Sequence, residues 1–342
     1  AMQRSFSLDD LNFTVTCSIG ISLHPGDGST ADELLQAADT AMNEARESGR
    51  AGYRFHQARA DGTSKLRTRV KLDHAMRQAL AAGRFRLHYQ PQVDLKSGEI
   101  VGAEALIRWR DPELGDVSPA EFIPVAERSG FIVAIGSWVL GQAVAQAALW
   151  REQGRQLLMS INVSALQFQQ ADFVDSVARA LAEVGLEPQW LELELTESIL
   201  IQDAQEALHR LQALAALGVK LAIDDFGTGY SSLAYLKRFP IGRLKIDRSF
   251  IQGLPGDESD VGIVTAIAHM TRALRLELIA EGVETEAQRE FMLQVGCEQY
   301  QGFLKSPAID VVSFEALLDR HAAAAATSIP DPADAPGPTP PV

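Results

Sequence analysis

The sequence predicts an α/β fold of the TIM-type (β/α)8 barrel class, preceded by a small α+β fragment. From residue 65 onward, short apolar runs rich in β-branched residues alternate with longer stretches of helical spacing. The alternation gives eight strands over roughly 250 residues, the usual length of a single barrel of this class. The strands also end in polar or charged side chains, which is typical of barrels whose strand ends form a site.

The first 57 residues have the pattern of a separate small unit. They predict, in order, a strand, a turn, a helix and a second short strand, at 13–22, 25–28, 31–48 and 53–56. So short a segment buries little apolar surface by itself, which is typical of a fragment of a larger domain. Residues 58–65 are expected to be a linker.

Residues 66–322 are expected to form the barrel, and the Pro-, Ala- and Asp-rich residues 323–342 predict a disordered tail. The expected strands are 84–90, 99–108, 157–163, 190–196, 220–225, 243–247, 277–281 and 298–303. The expected helices are 133–153, 170–184, 202–217, 258–275 and 285–295.

The connection between the first two expected strands differs from the others. No helical pattern separates them, and the turn at Asp94–Gly98 joins them as a hairpin, so the first strand is predicted to run antiparallel. A doubly wound open sheet is the alternative fold. It is disfavoured because no Gly-rich phosphate loop opens a helix after the first strand.

The net charge of −14 argues against a general nucleic-acid binder, which needs a basic face. It allows a small phosphorylated ligand, because bound cations can invert the charge of a local site. The two cysteines, Cys17 and Cys297, predict neither a disulfide framework nor a Cys-rich zinc site. With no signal-peptide pattern at the start, the expected location is the cytoplasm, with membrane anchoring left to a preceding N-terminal region.

The stretch from Phe131 to Trp150 contains no charged residue and has two interpretations, a membrane span or a buried core helix. Gln142 and Gln146 lie on one helical face, where contact with lipid would be costly. The stretch also lies within the regular series of strands and helices. We therefore expect a core helix and no membrane contact from this segment.

Polar groups at the strand ends are the candidate site. In a parallel barrel these ends meet at one face. A single acidic residue at a strand end is more simply explained as a helix cap. This interpretation stays open for Glu197 and Glu284. A set of carboxylates in one cavity repels itself unless cations neutralise it. The set comprises Glu104, Asn162, Glu194, Glu197, Asp224, Asp225, Lys245, Asp247, Glu281, Glu284 and Gln301.

Carboxylate oxygens with one amide indicate a hard cation, Mg²⁺ or Mn²⁺. Two adjacent cations suit in-line displacement at phosphorus. Asp224 and Asp225 are neighbours at a strand end, where one can bridge two cations while the other binds one. Lys245 is a compact charge suited to an attacking water or a phosphoryl oxygen. The Gly-rich segment from Asp225 to Ser232 predicts a mobile functional loop.

These residues resemble the EAL-domain cyclic-di-GMP phosphodiesterases over roughly residues 66–322, in the order of the family's motifs. The matching runs are Glu104-Ala-Leu106 with Arg108, Asn162, Glu194-Leu-Thr-Glu197, Asp224-Asp-Phe-Gly-Thr-Gly229, Lys245-Ile-Asp247, Glu281-Gly-Val-Glu284 and Gln301-Gly302. The N-terminal unit resembles the back half of a GGDEF diguanylate-cyclase domain, through Cys17–Ser22, Ala37–Met42 and Gly49-Arg50. The signature motif of that domain is absent, so cyclase activity is not expected.

The resemblance implies hydrolysis of cyclic di-GMP to linear pGpG with two Mg²⁺ or Mn²⁺ ions per site, in a homodimer formed through the barrel. It implies one metal held by Glu104, Asn162, Glu194 and Asp224, and a second by Asp224, Asp225 and Glu281. Lys245, Asp225 and Glu281 would be catalytic, with Lys245 positioning the water. Glu197 would anchor the loop 225–236, and Glu284 would support the metal ligands. The implied substrate contacts are Gln90, Leu106, Arg108, Asp247 and Gln301.

Two alternatives to an active phosphodiesterase stay open. The first is a receptor module that binds cyclic di-GMP and signals through conformation, which turnover with Mg²⁺ would exclude. The second is an unrelated metal-dependent barrel acting on a sugar phosphate or an enolate, which binding of cyclic di-GMP would exclude.

Overall fold

The computed structural model describes residues 6–8, 11–13, 18–28, 30–47, 53–55, 62–197, 199, 204–227 and 236–327. The chain divides into two compact units, residues 1–71 and 72–342. The first contains strands β1 Phe6–Leu8, β2 Leu11–Phe13, β3 Ile19–Ile21 and β4 Tyr53–Phe55, with helix α1 Ala31–Glu47. Strands β1 and β2 form an antiparallel pair, whereas β3 and β4 pair in parallel. Residues 14–17 of the predicted 13–22 strand lie outside the described residues.

Helix α2 Gly62–Ala81 includes residues 62–65 of the expected linker, and the second unit begins within this helix, at Leu72. Its strands are β5 Phe85–Asp94, β6 Ile100–Asp111, β7 Gly115–Val117, β8 Leu158–Val163, β9 Leu191–Thr196, β10 Lys220–Phe226, β11 Arg243–Ile246, β12 Glu277–Glu281 and β13 Gln299–Gln301. Its further helices are α3 Pro119–Ser129, α4 Ile132–Glu152, α5 Ala165–Phe168, α6 Phe173–Val184, α7 Ala204–Leu217, α8 Arg248–Ile251, α9 Glu258–Leu274, α10 Glu286–Val295 and α11 Val311–Thr327.

Eight of these strands close into a barrel in the order β5-β13-β12-β11-β10-β9-β8-β6, with β6 pairing back to β5. Strand β5 is antiparallel to both of its neighbours, and the other neighbouring barrel strands pair in parallel. The predicted barrel and its antiparallel first strand are therefore confirmed. The N-terminal end of β5 lies at the same end of the barrel as the C-terminal ends of the parallel strands.

Several elements were not predicted, among them β7, α3 and α11. Strand β7 pairs with the end of β6 as a hairpin outside the barrel. Strand β6 itself runs from Ile100 to Asp111, so Glu104 lies in the middle of a strand, not at its end. Helix α3 begins with Pro119 and contains Pro124, which weakened its helical pattern. Helix α11 reaches Thr327, five residues into the range predicted to be a disordered tail, because residues 322–326 are a run of alanine, the strongest helix former. The rest of that tail lies outside the described residues.

Helix α4 covers the uncharged stretch of the sequence and is, among the described residues, the one helix long and apolar enough to cross a membrane, with a mean hydropathy of 1.6. One face of α4 packs on β8 and α6. The buried residues of this face are Ile132, Ile135, Val139, Leu140, Ala143, Val144, Ala147 and Trp150. Much of its apolar character therefore serves packing on the barrel, while the lack of membrane contact stays a prediction.

Candidate functional site

The side chain of Lys245 is fully buried inside the barrel and surrounded by four carboxylates. We call these five residues the Lys245 cluster. The Nζ atom lies 2.6 Å from Glu194 Oε2, 2.6 Å from Glu281 Oε1, 3.2 Å from Asp224 Oδ1 and 3.5 Å from Glu104 Oε2. So close a group of carboxylates is tolerated only because a cation lies among them.

Strand register brings these side chains to one level of the barrel. Asn162 pairs with Glu194 across β8 and β9, and Glu281 pairs with Gln301 across β12 and β13. Gln90 of the antiparallel β5 pairs with Glu104 of β6. Because alternate residues of a strand face the barrel interior, the polar residues of neighbouring strands meet there.

Glu104 is the most heavily hydrogen-bonded carboxylate of the cluster. It accepts a 2.5 Å hydrogen bond from Asn162 Nδ2 at one oxygen and a 2.5 Å bond from Gln301 Nε2 at the other. Gln301 Nε2 also donates to Gln90 Oε1 at 2.9 Å, and Gln90 Nε2 donates to the carbonyl of Ser306 at 3.2 Å. This chain of amides fixes the orientation of Glu104.

Asp224 and Asp225 occupy an irregular stretch of β10. The register of β10 with β11 shifts between Ile223 and Phe226, and Asp225 has a φ of 53°, in the left-handed region. Consecutive residues of a regular strand point to opposite faces, but this distortion lets both acids serve one site. Oxygen atoms of Asp224, Asp225 and Glu281 lie within 4.8 Å of one another.

Burial and neighbouring charge move the pKa values of these groups in different directions. Burial, with the charges of Asp224 and Asp247 next, raises the pKa of Asp225 to about 6. Burial, followed by the charge of Glu104, raises the pKa of Glu194 well above its usual range. Burial opposes ionisation of Lys245, but the surrounding carboxylates outweigh it and hold its pKa well above the ordinary value, so the amine stays charged.

The raised pKa of the Glu281 carboxyl should make the stability of the metal-free protein depend on pH. Burial is the largest cause that raises its pKa to about 8, while Lys245 opposes the shift. The folded state therefore keeps a proton that the unfolded chain loses near pH 4.5, so the free energy of unfolding should fall as pH rises from about 4.5 to about 8. At about 1.4 kcal/mol per pKa unit the loss is up to roughly 5 kcal/mol. Urea unfolding at pH 5 and pH 8 in a chelator measures it, and Glu281→Gln should remove most of the difference.

The donor set of the site suits a hard divalent cation. Glu194 Oε1 is buried and accepts no hydrogen bond from the described residues, and Asp224 Oδ1 contacts Lys245 only as an ion pair. Carboxylate oxygens with one side-chain amide are the ligands that Mg²⁺ and Mn²⁺ prefer. The Lys245 ammonium shows that the cluster accommodates positive charge at its centre, so the residues present fit metal binding.

Two cavities open on this end of the barrel. The acidic cavity, of about 230 Å³, is lined by Gln90, Glu104, Leu106, Asp224, Arg248, Glu281, Gly282, Glu284, Gln301, Gly302 and Phe303. The apolar cavity, of about 360 Å³, lies between β6, α3, α4 and the start of α5. Leu106 lines both cavities, and Arg108 and Asn162 line the apolar one. The two cavities are therefore neighbours on either side of Leu106.

Four predicted site residues lie at the edge of the cluster or away from it. Arg108 is half-buried in the wall of the apolar cavity, and its Nη1 donates to the Ile107 carbonyl at 2.9 Å. Asp247 caps α8 through a 3.0 Å hydrogen bond from the Ser249 amide. Glu284 is exposed at the rim of the acidic cavity. Both carboxylate oxygens of Glu197 are buried without a hydrogen bond among the described residues. Residues 228–235 of the loop 225–236, which Glu197 was predicted to anchor, lie outside the described residues.

A second polar layer, which the sequence analysis missed, lies directly beneath the Lys245 cluster. The Glu192 carboxylate accepts from Arg243 Nη1 and from Ser160 Oγ, each at 2.9 Å, and Ser160 Oγ accepts from Gln92 Nε2 at 3.2 Å. We call these four residues the lower polar layer. Each lies two positions from a site residue on the same strand, so a search at that spacing would have found them.

Residues 73–308 match the model of the EAL domain, and residues 1–52 match that of the diguanylate cyclase GGDEF domain. Among solved structures, the chain is 48% identical to the PaMucR phosphodiesterase in complex with c-di-GMP, with a TM-score of 0.70. That match covers 71% of this chain and 99% of the PaMucR chain.

Two curated relatives extend the similarity to longer proteins. The chain is 48% identical over 291 residues to the bifunctional diguanylate cyclase/cyclic di-GMP phosphodiesterase MucR of Pseudomonas aeruginosa, covering 85% of this chain and 42% of MucR. It is 37% identical over 320 residues to the cyclic di-GMP phosphodiesterase PdeR of Escherichia coli, covering 94% of this chain and 48% of PdeR. The chain therefore spans less than half the length of these relatives.

Proposed function

The chain belongs to the EAL-domain family, and on that basis we propose that it hydrolyses cyclic di-GMP to linear pGpG with two Mg²⁺ or Mn²⁺ ions per site. The observation that carries the proposal is the Lys245 cluster, with Asp225, Asn162 and Gln301 around it. This is a complete set of oxygen donors beside a buried ammonium. The relatives named as cyclic di-GMP phosphodiesterases supply the substrate class.

The metal ligands proposed are those implied by the family resemblance. Glu104, Asn162, Glu194 and Asp224 would hold one cation, and Asp224, Asp225 and Glu281 the other. Bound there, the cations would activate water and neutralise the negative charge that develops on the phosphoryl oxygens. The amide chain from Gln90 through Gln301 would keep the Glu104 carboxylate oriented for binding.

The other residues act on the substrate and the attacking water. Lys245 would hold the water that attacks phosphorus, with Asp225 and Glu281 beside it. Arg108 would donate two parallel hydrogen bonds to the oxygens of a phosphate, a role suited to the planar guanidinium. Leu106, between the two cavities, would support a nucleotide whose phosphate lies at the carboxylates and whose base lies in the apolar cavity. Gln90, Asp247 and Gln301 would complete the contacts, and Glu197 and Glu284 would steady the neighbouring loop and ligands.

Arg108→Ala should weaken cyclic di-GMP binding by at least about tenfold, since a charge-assisted hydrogen bond to phosphate contributes about 1.5–3 kcal/mol. Metal affinity should change little, because the described contacts of Arg108 do not include a hydrogen bond to the carboxylates. Calorimetric titrations of the dinucleotide and of Mn²⁺ measure the two effects. The exposed Arg110, on the same strand, provides the control variant Arg110→Ala. Equal dinucleotide affinity in Arg108→Ala and the parent would refute the role.

The direct test is incubation with cyclic di-GMP and Mg²⁺, followed by separation of the nucleotides. We expect linear pGpG as the first product and no turnover in a chelator. Binding without turnover in Mg²⁺ and Mn²⁺ would favour the receptor module instead. Homodimerisation through the barrel and a cytoplasmic location stay proposals, which light scattering and cell fractionation test.

A further inference from the structure

The lower polar layer contains a second buried cation, which the proposed mechanism does not use. The side chain of Arg243 is 3% exposed, and its Nη1 donates a 2.9 Å hydrogen bond to Glu192 Oε1. Its Nη2 donates a 2.7 Å bond to Glu277, which is half-exposed at the end of the barrel opposite the site. Glu192 is itself buried, and Arg243 is its one cationic partner among the described residues. The charge of Glu192 is therefore balanced inside the barrel by Arg243.

The two buried cations form an ordered set of contacts with two buried glutamates. Arg243 and Lys245 occupy successive inward-facing positions of β11, and Glu192 and Glu194 occupy successive inward-facing positions of β9. The lower cation bonds the lower glutamate, whereas the Nζ atom of Lys245 lies 2.6 Å from Glu194 Oε2. Residues two apart on a strand are separated by about 6.6 Å along it. The two carboxylates therefore lie only one step apart along the barrel axis.

Without Arg243, Glu192 would be an unpaired carboxylate inside the barrel. Such a group is strongly unfavourable unless another cation approaches it. The next inward-facing residue of the same strand is Lys245, whose ammonium lies on a flexible four-carbon stem. The Ser160 hydroxyl, which accepts a hydrogen bond from Gln92, donates to Glu192 at 2.9 Å and keeps that carboxylate in the lower layer. The Lys245 ammonium would therefore be drawn down, away from the centre of its own cluster.

We propose that Arg243 is a positioning residue for Lys245: by neutralising Glu192, it removes the negative charge below the site that would draw the ammonium away. This inference rests on the proposed function, in which Lys245 holds the attacking water. The printed hydrogen bonds of the Arg243 guanidinium go to Glu192 and Glu277, so it acts through Lys245 and takes no direct part at phosphorus. Each polar layer of the barrel thus keeps its own cation.

Four variants test this competition between the layers. Arg243→Gln keeps a donor for Glu192, which favours folding, but removes the positive charge. Arg243→Gln/Glu192→Gln also removes the carboxylate that would attract Lys245. Arg243→Gln/Glu277→Gln is the matched control, because it removes the other partner of Arg243 and leaves Glu192 charged. Glu192→Gln alone leaves Arg243 with Glu277 and leaves no competing charge below the site.

Arg243→Gln should lower kcat for cyclic di-GMP roughly 10- to 100-fold, because misplacing a catalytic group by about 1 Å can cost about a hundredfold in rate. KM should stay within about twofold, since the substrate contacts are unchanged. Adding Glu192→Gln should restore kcat to within about threefold of the parent, whereas adding Glu277→Gln should not. Glu192→Gln alone should also stay within about threefold of the parent. A loss of packing in the lower layer would instead slow all four variants.

A crystal structure of the Arg243→Gln protein gives a readout that does not depend on activity. We expect Lys245 Nζ within about 2.7–3.2 Å of a Glu192 oxygen. An ammonium that stays between Glu194 and Glu281 would overturn the inference, and so would a Glu192→Gln protein, or the Arg243→Gln/Glu192→Gln protein, as slow as Arg243→Gln. A parent protein that does not hydrolyse cyclic di-GMP would overturn the proposed function instead, and the crystal structure would still decide where the ammonium lies.

Discussion

Replacing Lys245 with methionine should lower the melting temperature of the metal-free barrel by roughly 6 to 20 °C. The change removes the cation at the centre of Glu104, Glu194, Asp224 and Glu281 while nearly preserving side-chain volume. Removing one partner of a buried ion pair costs about 3–5 kcal/mol, and each kcal/mol moves the melting temperature of a domain this size by about 2–4 °C. Calorimetry in a chelator measures the change.

The same variant tests whether a metal ion can replace the ammonium. Because added Mn²⁺ supplies positive charge to the uncompensated carboxylates, it should raise the melting temperature of Lys245→Met more than that of the parent. Lys220→Met is the control, since Lys220 is exposed at the start of β10. If Lys245→Met and Lys220→Met melt alike in the chelator, Lys245 does not hold the cluster together.

Replacing Glu104 with alanine should reduce hydrolysis of cyclic di-GMP by at least about a thousandfold, because a metal contributes several kcal/mol of transition-state stabilisation and each 1.4 kcal/mol is about tenfold in rate. Glu104 is buried, and Asn162 and Gln301 both donate to it, so its loss also frees two neighbouring proposed contacts. Product analysis under saturating Mg²⁺ measures the effect.

Glu104→Gln separates loss of charge from loss of packing. It preserves the shape of the side chain, so it should retain the fold while losing most activity and much of the Mn²⁺ affinity measured by calorimetry. Glu99→Ala, at an exposed position just before the same strand, is expected to behave as the parent. Near-parental turnover in a folded Glu104→Gln protein would contradict the assignment of Glu104 as a metal ligand.

The sequence predicted the barrel and the membership of the cluster because both depend on short-range regularities. The strand series placed Glu104, Glu194 and Lys245 near the ends of barrel strands, and the parallel order of the strands brings those ends to one face. The central position of Lys245 was not predictable, since it depends on four strands contributing carboxylates at distances set by closure of the barrel. The roles assigned to individual ligands stay predictions.

Other features could not be predicted from the sequence, because most of them depend on contacts between residues far apart in the chain. The contact of Gln167 with Gly136 depends on how α4 packs against the start of α5. The left-handed conformation of Asp225 carries only a weak signal in residue type, because aspartate, although enriched at positive φ, usually occupies the ordinary regions. In the sequence, the residues of the lower polar layer look like ordinary strand residues. Their grouping depends on the contacts of Ser160, Glu192 and Arg243 across three strands.

The reversed direction of β5 decides where the chain is threaded into the barrel. In an all-parallel barrel the first strand enters at the end opposite the site, whereas here β5 enters at Phe85, at the end where Gln90 meets Glu104. Only residues 82–84 separate that entry from the last turn of α2. The C-terminal end of α2 is thus joined to the barrel on the reaction side. Lengthening this three-residue connection should therefore change the activity of the site more than an insertion at the Asp94–Gly98 turn, at the opposite end.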